Sequence, residues 1–115
     1  MPAPTKLPQS AEELLEQLFT MFPEYRASYE GPIHDGAPTF HSVLIDFSTR
    51  FGGLANTSSD KQLKSFAQLV NAAVEAGGKL ENAFATCLLE HLHQIDALRT
   101  FGPYLSKPAY ERTAP

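Results

Sequence analysis

The sequence predicts a small all-α bundle of about five helices in a single domain, and three observations carry that expectation. No proline falls between Thr39 and Gly102, a stretch free to be mostly helix because interior proline is the strongest helix breaker. Apolar residues there recur at helical spacing, one stripe per segment. No stripe closes round its helix, so each must be covered by a neighbour. A chain of 115 residues has room for one compact domain and too little for two ordinary ones.

The first helix is expected to begin at Ser10, where Ser10-Ala11-Glu12-Glu13 reads as a capping box. Leu14, Leu15, Leu18, Phe19 and Phe22 then mark one apolar face. Pro23 opens a short second helix, PEYRASYE, because the first helical position lacks an intrahelical partner for its N–H in any case. Gly31-Pro32 ends it, and GPIHDGAP reads as a loop. The segment TFHSVLIDFSTRF alternates as a strand would at Val43, Ile45 and Phe47. Phe40, Val43, Leu44, Phe47 and Phe51 fit a helix better, with Thr39 as its cap. Gly52-Gly53 is read as its stop. The fourth helix starts after Ser58-Ser59, carries Leu63, Phe66, Ala67, Val70 and Val74, and ends at Gly77-Gly78. Leu80, Phe84, Leu88, Leu92 and Ile95 carry one last long helix, with Cys87 and His91 beside the stripe and Gly102-Pro103 as its stop.

The expected domain is 10–106, with 1–9 and 107–115 as flexible, proline-bearing tails. The expected core holds Leu15, Leu18, Phe19, Phe47, Phe66, Val70, Phe84 and Leu88.

Composition narrows the function classes. Apolar residues make up 43% and charged residues 19%, which argues against disorder driven by self-repulsion. No apolar run reaches the roughly 18 to 20 residues of a membrane span. MPAPTKLPQS has one Lys and no apolar h-region, so a secretory signal is not expected. Cys87 is the only cysteine, which excludes an internal disulfide and points to a reducing cytoplasm. It sits in FATCLL, where a small buried thiol is expected, with no base or cation placed beside it by the sequence.

Charge is uneven. Residues 1–48 hold seven acids against Lys6 and Arg26, a balance of −5, and the remainder has six acids against seven bases. An acidic half repels nucleic-acid phosphate and steers toward a basic partner.

Catalytic and metal constellations are thin. Glu90-His91-Leu92-His93 contains one Glu-x-x-His pair, whereas a di-iron bundle site needs two and further carboxylates. No metal and no cofactor is expected. His34-Asp35 lies in the Gly/Pro loop, and His41 and Asp46 flank the third stripe near Ser42 and Ser48. No Gly-x-Ser-x-Gly elbow supports a nucleophilic triad there. Asp46, set in the apolar VLIDF run, must be hydrogen-bonded or paired if buried, with Arg50 available four residues on.

LLEQLFTMFPEYRASYEG, FHSVLIDFSTRF, FATCLLEHL and the closing FGPYLSK together resemble a family of small bacterial helical domains of unassigned activity. In that family a leading helix runs into a Phe-Pro-Glu turn and the final helix ends in Gly-Pro. Phe22-Pro23-Glu24 and Gly102-Pro103 match those points, over about residues 10–107. The loop before the third helix is shorter and richer in Gly and Pro here. Such domains are similar to the immunity proteins of bacterial polymorphic toxin systems. The resemblance implies a cytoplasmic binding protein, not an enzyme, that neutralises a cognate toxin through a pre-formed acidic surface.

The partner-binding residues expected on that basis are Glu12, Glu16, Glu24, Glu30 and Asp35, with Tyr25 and Tyr29 as aromatic anchors four residues apart. Glu13 is set aside as the partner of the capping box. The partner is expected to be a basic toxin domain, without nucleic acid or membrane, and the chain a monomer or weak homodimer. The alternative is a helical interaction or scaffold module that self-associates.

Overall fold

Three side-chain caps set the long helices. The Oγ of Ser10 accepts the Glu13 N–H at 3.2 Å and starts α1, Ala11–Met21. Thr39 and Ser42 satisfy each other's backbone N–H and open α3, Phe40–Thr57. Ser59 and Gln62 do the same for α4, Asp60–Ala76. Between them Pro23 opens α2, Pro23–Ser28, at the position expected for it. The C-terminal third holds α5, Gly78–Cys87, a 3₁₀ turn at Leu89–His91, α6, Leu98–Phe101, a second 3₁₀ turn at Gly102–Tyr104, and α7, Lys107–Glu111. This computed structural model describes residues 6–29, 38–92, 94 and 97–113. Among them all regular structure is helical, and the all-α class is as the sequence predicts. The loop read at GPIHDGAP, with His34 and Asp35, lies apart from Pro38 outside the described residues, as does His93.

The helices close round an aromatic centre. Phe22, Phe47, Phe51, Phe66 and Phe101 are fully buried. Ring centroids lie 5.1 Å apart for Phe47 and Phe66, 5.2 Å for Phe51 and Phe66, and 5.1 Å for Phe51 and Phe101. These edge-to-face contacts add to the large apolar area each ring removes from water. Leu18, Val70, Phe84 and Leu88 are buried as expected. Leu15 and Phe19 are not: both are half-buried and pack on the rim of the core. The centre of the α1 stripe runs through Ala11, Leu14 and Leu18, which rotates Leu15 and Phe19 toward its edge.

Two boundaries inside the domain differ from the sequence expectation. Gly52-Gly53 does not stop α3, which continues to Thr57 because Phe51 and Ala55 are both buried on its inner face. In its last turn side chains meet the Leu54 carbonyl instead, with Ser58 Oγ donating at 2.6 Å and Thr57 Oγ1 at 3.3 Å. The last long helix breaks at Leu88, whose ψ of −63° accompanies a φ of −126°. A straight helix would spread Leu80, Phe84, Cys87, Leu88, Leu89 and Leu92 over more than half its circumference, and the break turns Leu88, Leu89 and Leu92 back into the core.

Residues 107–113 are not a loose tail. Ser106 caps α7, Pro108 sits in its first turn, and Ala109 and Thr113 are buried. Asn71 of α4 accepts the Ser106 N–H at 2.9 Å, Arg112 pairs with Glu81 at 2.8 Å, and the Tyr104 hydroxyl donates to Asp60. Gly102 leaves room for α7: a Cβ there would stand 3.1 Å from the Tyr110 ring. The N-terminal stretch is tied as well, with Pro8 buried and Gln17 Nε2 donating to Lys6 O at 3.0 Å.

Candidate functional site

Burial of Ala11, Leu14 and Leu18 turns the opposite face of α1 outward, and Glu12 and Glu16, four residues apart, stand exposed on it. Glu24 is exposed on the first turn of α2, just beyond. The segment before α1 folds back along this face, held by the Gln17–Lys6 hydrogen bond, and two adjoining grooves form between them. One, of about 330 Å³, is lined by Lys6, Glu16, Gln17, Thr20 and Met21. The other, of about 270 Å³, is lined by Lys6, Glu12, Glu13, Glu16 and Gln17. Three acidic residues thus line the second groove with Lys6, and Glu13 is among them although it was expected to serve only the capping box. Glu12 and Glu13 also lie in the first turn of α1, at the positive end of the helix dipole.

The tyrosines fall differently. Tyr25 and Tyr29 are side by side as their spacing predicts, with ring centroids 5.7 Å apart. Tyr25, however, is fully buried, and its ring packs 5.0 Å from that of Phe47. It is therefore no surface anchor. Its hydroxyl donates to Asp46 Oδ2 at 2.5 Å. Burial first, and then the adjacent Asp46 carboxylate, hold the Tyr25 phenol well above its ordinary range. Tyr29 is half-buried and shares an edge-to-face contact with Phe19 at 5.3 Å; burial, then Asp46, raise its phenol too. Arg26 lies over the Phe19 ring at 5.8 Å. Tyr29, Phe19 and Arg26 thus form an aromatic and cationic rim beside the acidic face. Glu30 and Asp35 lie outside the described residues.

Asp46 is engaged as its setting demands, by the Tyr25 hydroxyl and by Arg50 Nε at 3.9 Å. That separation is a charge pair rather than a hydrogen bond, and the buried Arg50 Nε has no hydrogen-bond acceptor. This is a structural clamp between α2 and α3.

The sequence reading missed a pairing on the other side of the molecule. Cys87 is buried as expected, but a base does stand beside it: His41 Nδ1 is 3.2 Å from Cys87 Sγ. Its only trace in the sequence is the placement of each residue beside an apolar stripe. Among the described residues no group of three or more His, Cys, Asp or Glu side chains stands close enough to hold a metal ion, and no helix is long and apolar enough to cross a membrane. Comparison with protein-family models, with curated proteins and with solved structures returns no match for this chain.

Proposed function

We propose that this protein is an immunity-type binding protein that neutralises a basic toxin domain through the outward face of α1, continued by Glu24 on α2, and that it works in the cytoplasm without chemistry of its own. The observation that carries the reading is the coincidence of grooves and carboxylates: Glu12, Glu13 and Glu16 border one cleft and Glu16 also the cleft adjoining it, on a face with no other helix over it among the described residues. Lysine and arginine side chains suit such a surface, because their aliphatic stems lie along the groove while their charged heads reach the carboxylates. Tyr29 and Phe19 supply half-buried aromatic area at the edge, the kind of area that anchors interfaces. Tyr25 drops out of the contact set and acts from below, holding α2 against α3 so that Glu24 is presented at a fixed place.

The reading is tested by growth and by binding. The full chain is co-expressed with the toxin domain encoded beside its own gene, with Glu12, Glu16 and Glu24 native or all replaced by Lys. Expected is survival with the native chain and loss of protection with the reversed one, at unchanged thermal stability. Association of the purified pair should slow with added salt, because rim charges act mainly on the on-rate. Survival with the reversed chain places the interface elsewhere, and death with the native chain rejects the reading.

A further inference from the structure

Cys87 is the last residue of α5, and its sulfur faces the first turn of α3, where His41 Nδ1 stands 3.2 Å away. Cys87 is 6% exposed, whereas His41 is exposed, so a proton taken by the imidazole has a route to water. Thr86 Oγ1 lies 3.6 Å from the same sulfur, but its proton is donated to the Asn82 carbonyl at 2.8 Å. Of the two neighbours, only the His41 imidazole is a base, and it is also the closer to the sulfur. Cys87 also lines a cleft of about 230 Å³, together with Ile45, Ser48, Thr49, His91 and Gln94. Ser48 and Thr49 donate their hydroxyl protons to the carbonyls of Ile45 and Asp46, and His91 and Gln94 bond to each other at 2.8 Å. Among the described residues the lining includes no carboxylate, and it offers hydroxyls, an amide and an imidazole.

A nucleophile, a base within hydrogen-bond reach and a cavity at the nucleophile make up a reactive-thiol arrangement, which a merely packed cysteine lacks. We propose that Cys87 is a site of thiol–disulfide exchange with a small disulfide admitted to this cleft, with His41 as the base. His41 takes the thiol proton, and the resulting thiolate attacks one sulfur of the disulfide. The S–S bond of the small molecule breaks as a new S–S bond forms to Cys87. The other half leaves as a thiolate, which takes the proton back from the imidazolium. The disulfide is the oxidant, and Cys87 is oxidised to the mixed disulfide as the leaving half is reduced. The single cysteine of the chain selects this outcome. With no second thiol to resolve it, the mixed disulfide persists until an external thiol reverses the exchange.

The probe is glutathione disulfide in excess over the full native chain, followed by intact mass. The same chain unfolded in urea gives the rate of an unassisted thiol. Expected is one mixed disulfide per chain, formed about tenfold or more faster in the native protein than in the unfolded one. His41→Gln should bring the native rate to or below the unfolded rate, with helicity unchanged. Thr49→Trp, at the cleft wall, should slow glutathione disulfide more than it slows a methyl thiosulfonate, and this variant decides the matter if His41→Gln fails to fold. A native rate below the unfolded rate, an unchanged rate in His41→Gln, or equal rates for both reagents in native and Thr49→Trp chains would overturn the proposal and leave the pair as a packing contact.

Discussion

Gly52-Gly53 lies inside α3, which runs unbroken from Phe40 to Thr57, whereas Gly77 separates α4 from α5 and Gly78 opens α5, with both residues at positive φ, +75° and +83°. The intrinsic handicap is the same at both places, about 2 kcal/mol for two glycines relative to alanines in a helix. What differs is the neighbourhood. Phe51 is 0% and Ala55 2% exposed, so continuing the helix past the first pair keeps both against the core. Around the second pair, Glu75, Ala76 and Lys79 are exposed and the next buried side chain is Leu80. A helix extended through that turn would bury nothing. Reversal at Gly77 instead lays α5 back along α4, and the positive-φ conformation this requires is open to glycine at no steric cost. Tertiary burial decides which Gly-Gly is punctuation.

If burial carries α3 through its glycines, removing it should open the helix there. Phe51→Ala should lower stability by about 3–5 kcal/mol, the range for a fully buried phenylalanine. Amide hydrogen exchange should show residues 52–57 losing protection first. A loss under about 1 kcal/mol in urea unfolding would mean that the local sequence sustains the helix unaided.

The front half of α3 is held by a different contact, the Tyr25 hydroxyl on Asp46. Tyr25→Phe should cost about 1–3 kcal/mol, because it strips a partly buried carboxylate of its donor. The sign of the pH dependence follows from the raised phenol. In the native protein the protonated form is favoured, so this contribution is complete below the ordinary tyrosine value of 10.0 and is lost as pH rises above it toward the native value. Unfolding measured at successive pH values above about 10 should show the native chain losing stability more steeply than Tyr25→Phe, by up to about 1.4 kcal/mol per pH unit. Parallel curves would show that Tyr25 ionises in the folded state as it does when unfolded.

Gly77→Ala tests the second pair directly. A Cβ there meets nothing within 4 Å, so the expected cost of about 1–3 kcal/mol comes from the positive-φ, extended-ψ backbone alone, a conformation essentially confined to glycine. Thermal unfolding should register it as a lowered Tm, and an unchanged Tm would remove the conformational reason for the break.

What was legible in the sequence follows the same division between local and distant causes. Ser10, Thr39 and Ser59 accept the N–H three residues on as read, because a cap is a local contact, although at Ser10 the capping box expected with Glu13 forms only its Ser10 half. The α4 stripe is buried as read, because its period is internal to the helix. The α7 helix carried a local signal that the tail reading passed over: Ser106 with Pro108 in the first turn is a helix start. In the candidate site, the Glu12 and Glu16 face was legible from spacing on one helix. The burial of Tyr25 was not, since its partner Asp46 is 21 residues away, nor was the His41–Cys87 pair, separated by 46. Those contacts exist only once α3 has packed against α2 and α5.

The smallest effect is the sharpest test, because it runs against the usual direction of mutation. Gly53 is exposed, helical and clear of any neighbour that a Cβ would meet within 4 Å. Alanine there keeps every tertiary contact of α3 and reduces the freedom of the unfolded chain, so Gly53→Ala should stabilise the protein by about 0.5–1 kcal/mol. The same substitution at Gly77 destabilises it, so one chemical change at two Gly-Gly pairs should move the urea midpoint in opposite directions. The double variant should come out near the sum of the two, since the sites share no partner. If Gly53→Ala is destabilising instead, the first pair is bent out of helical geometry in solution. The burial of Phe51 and Ala55 would then not be what carries the helix through.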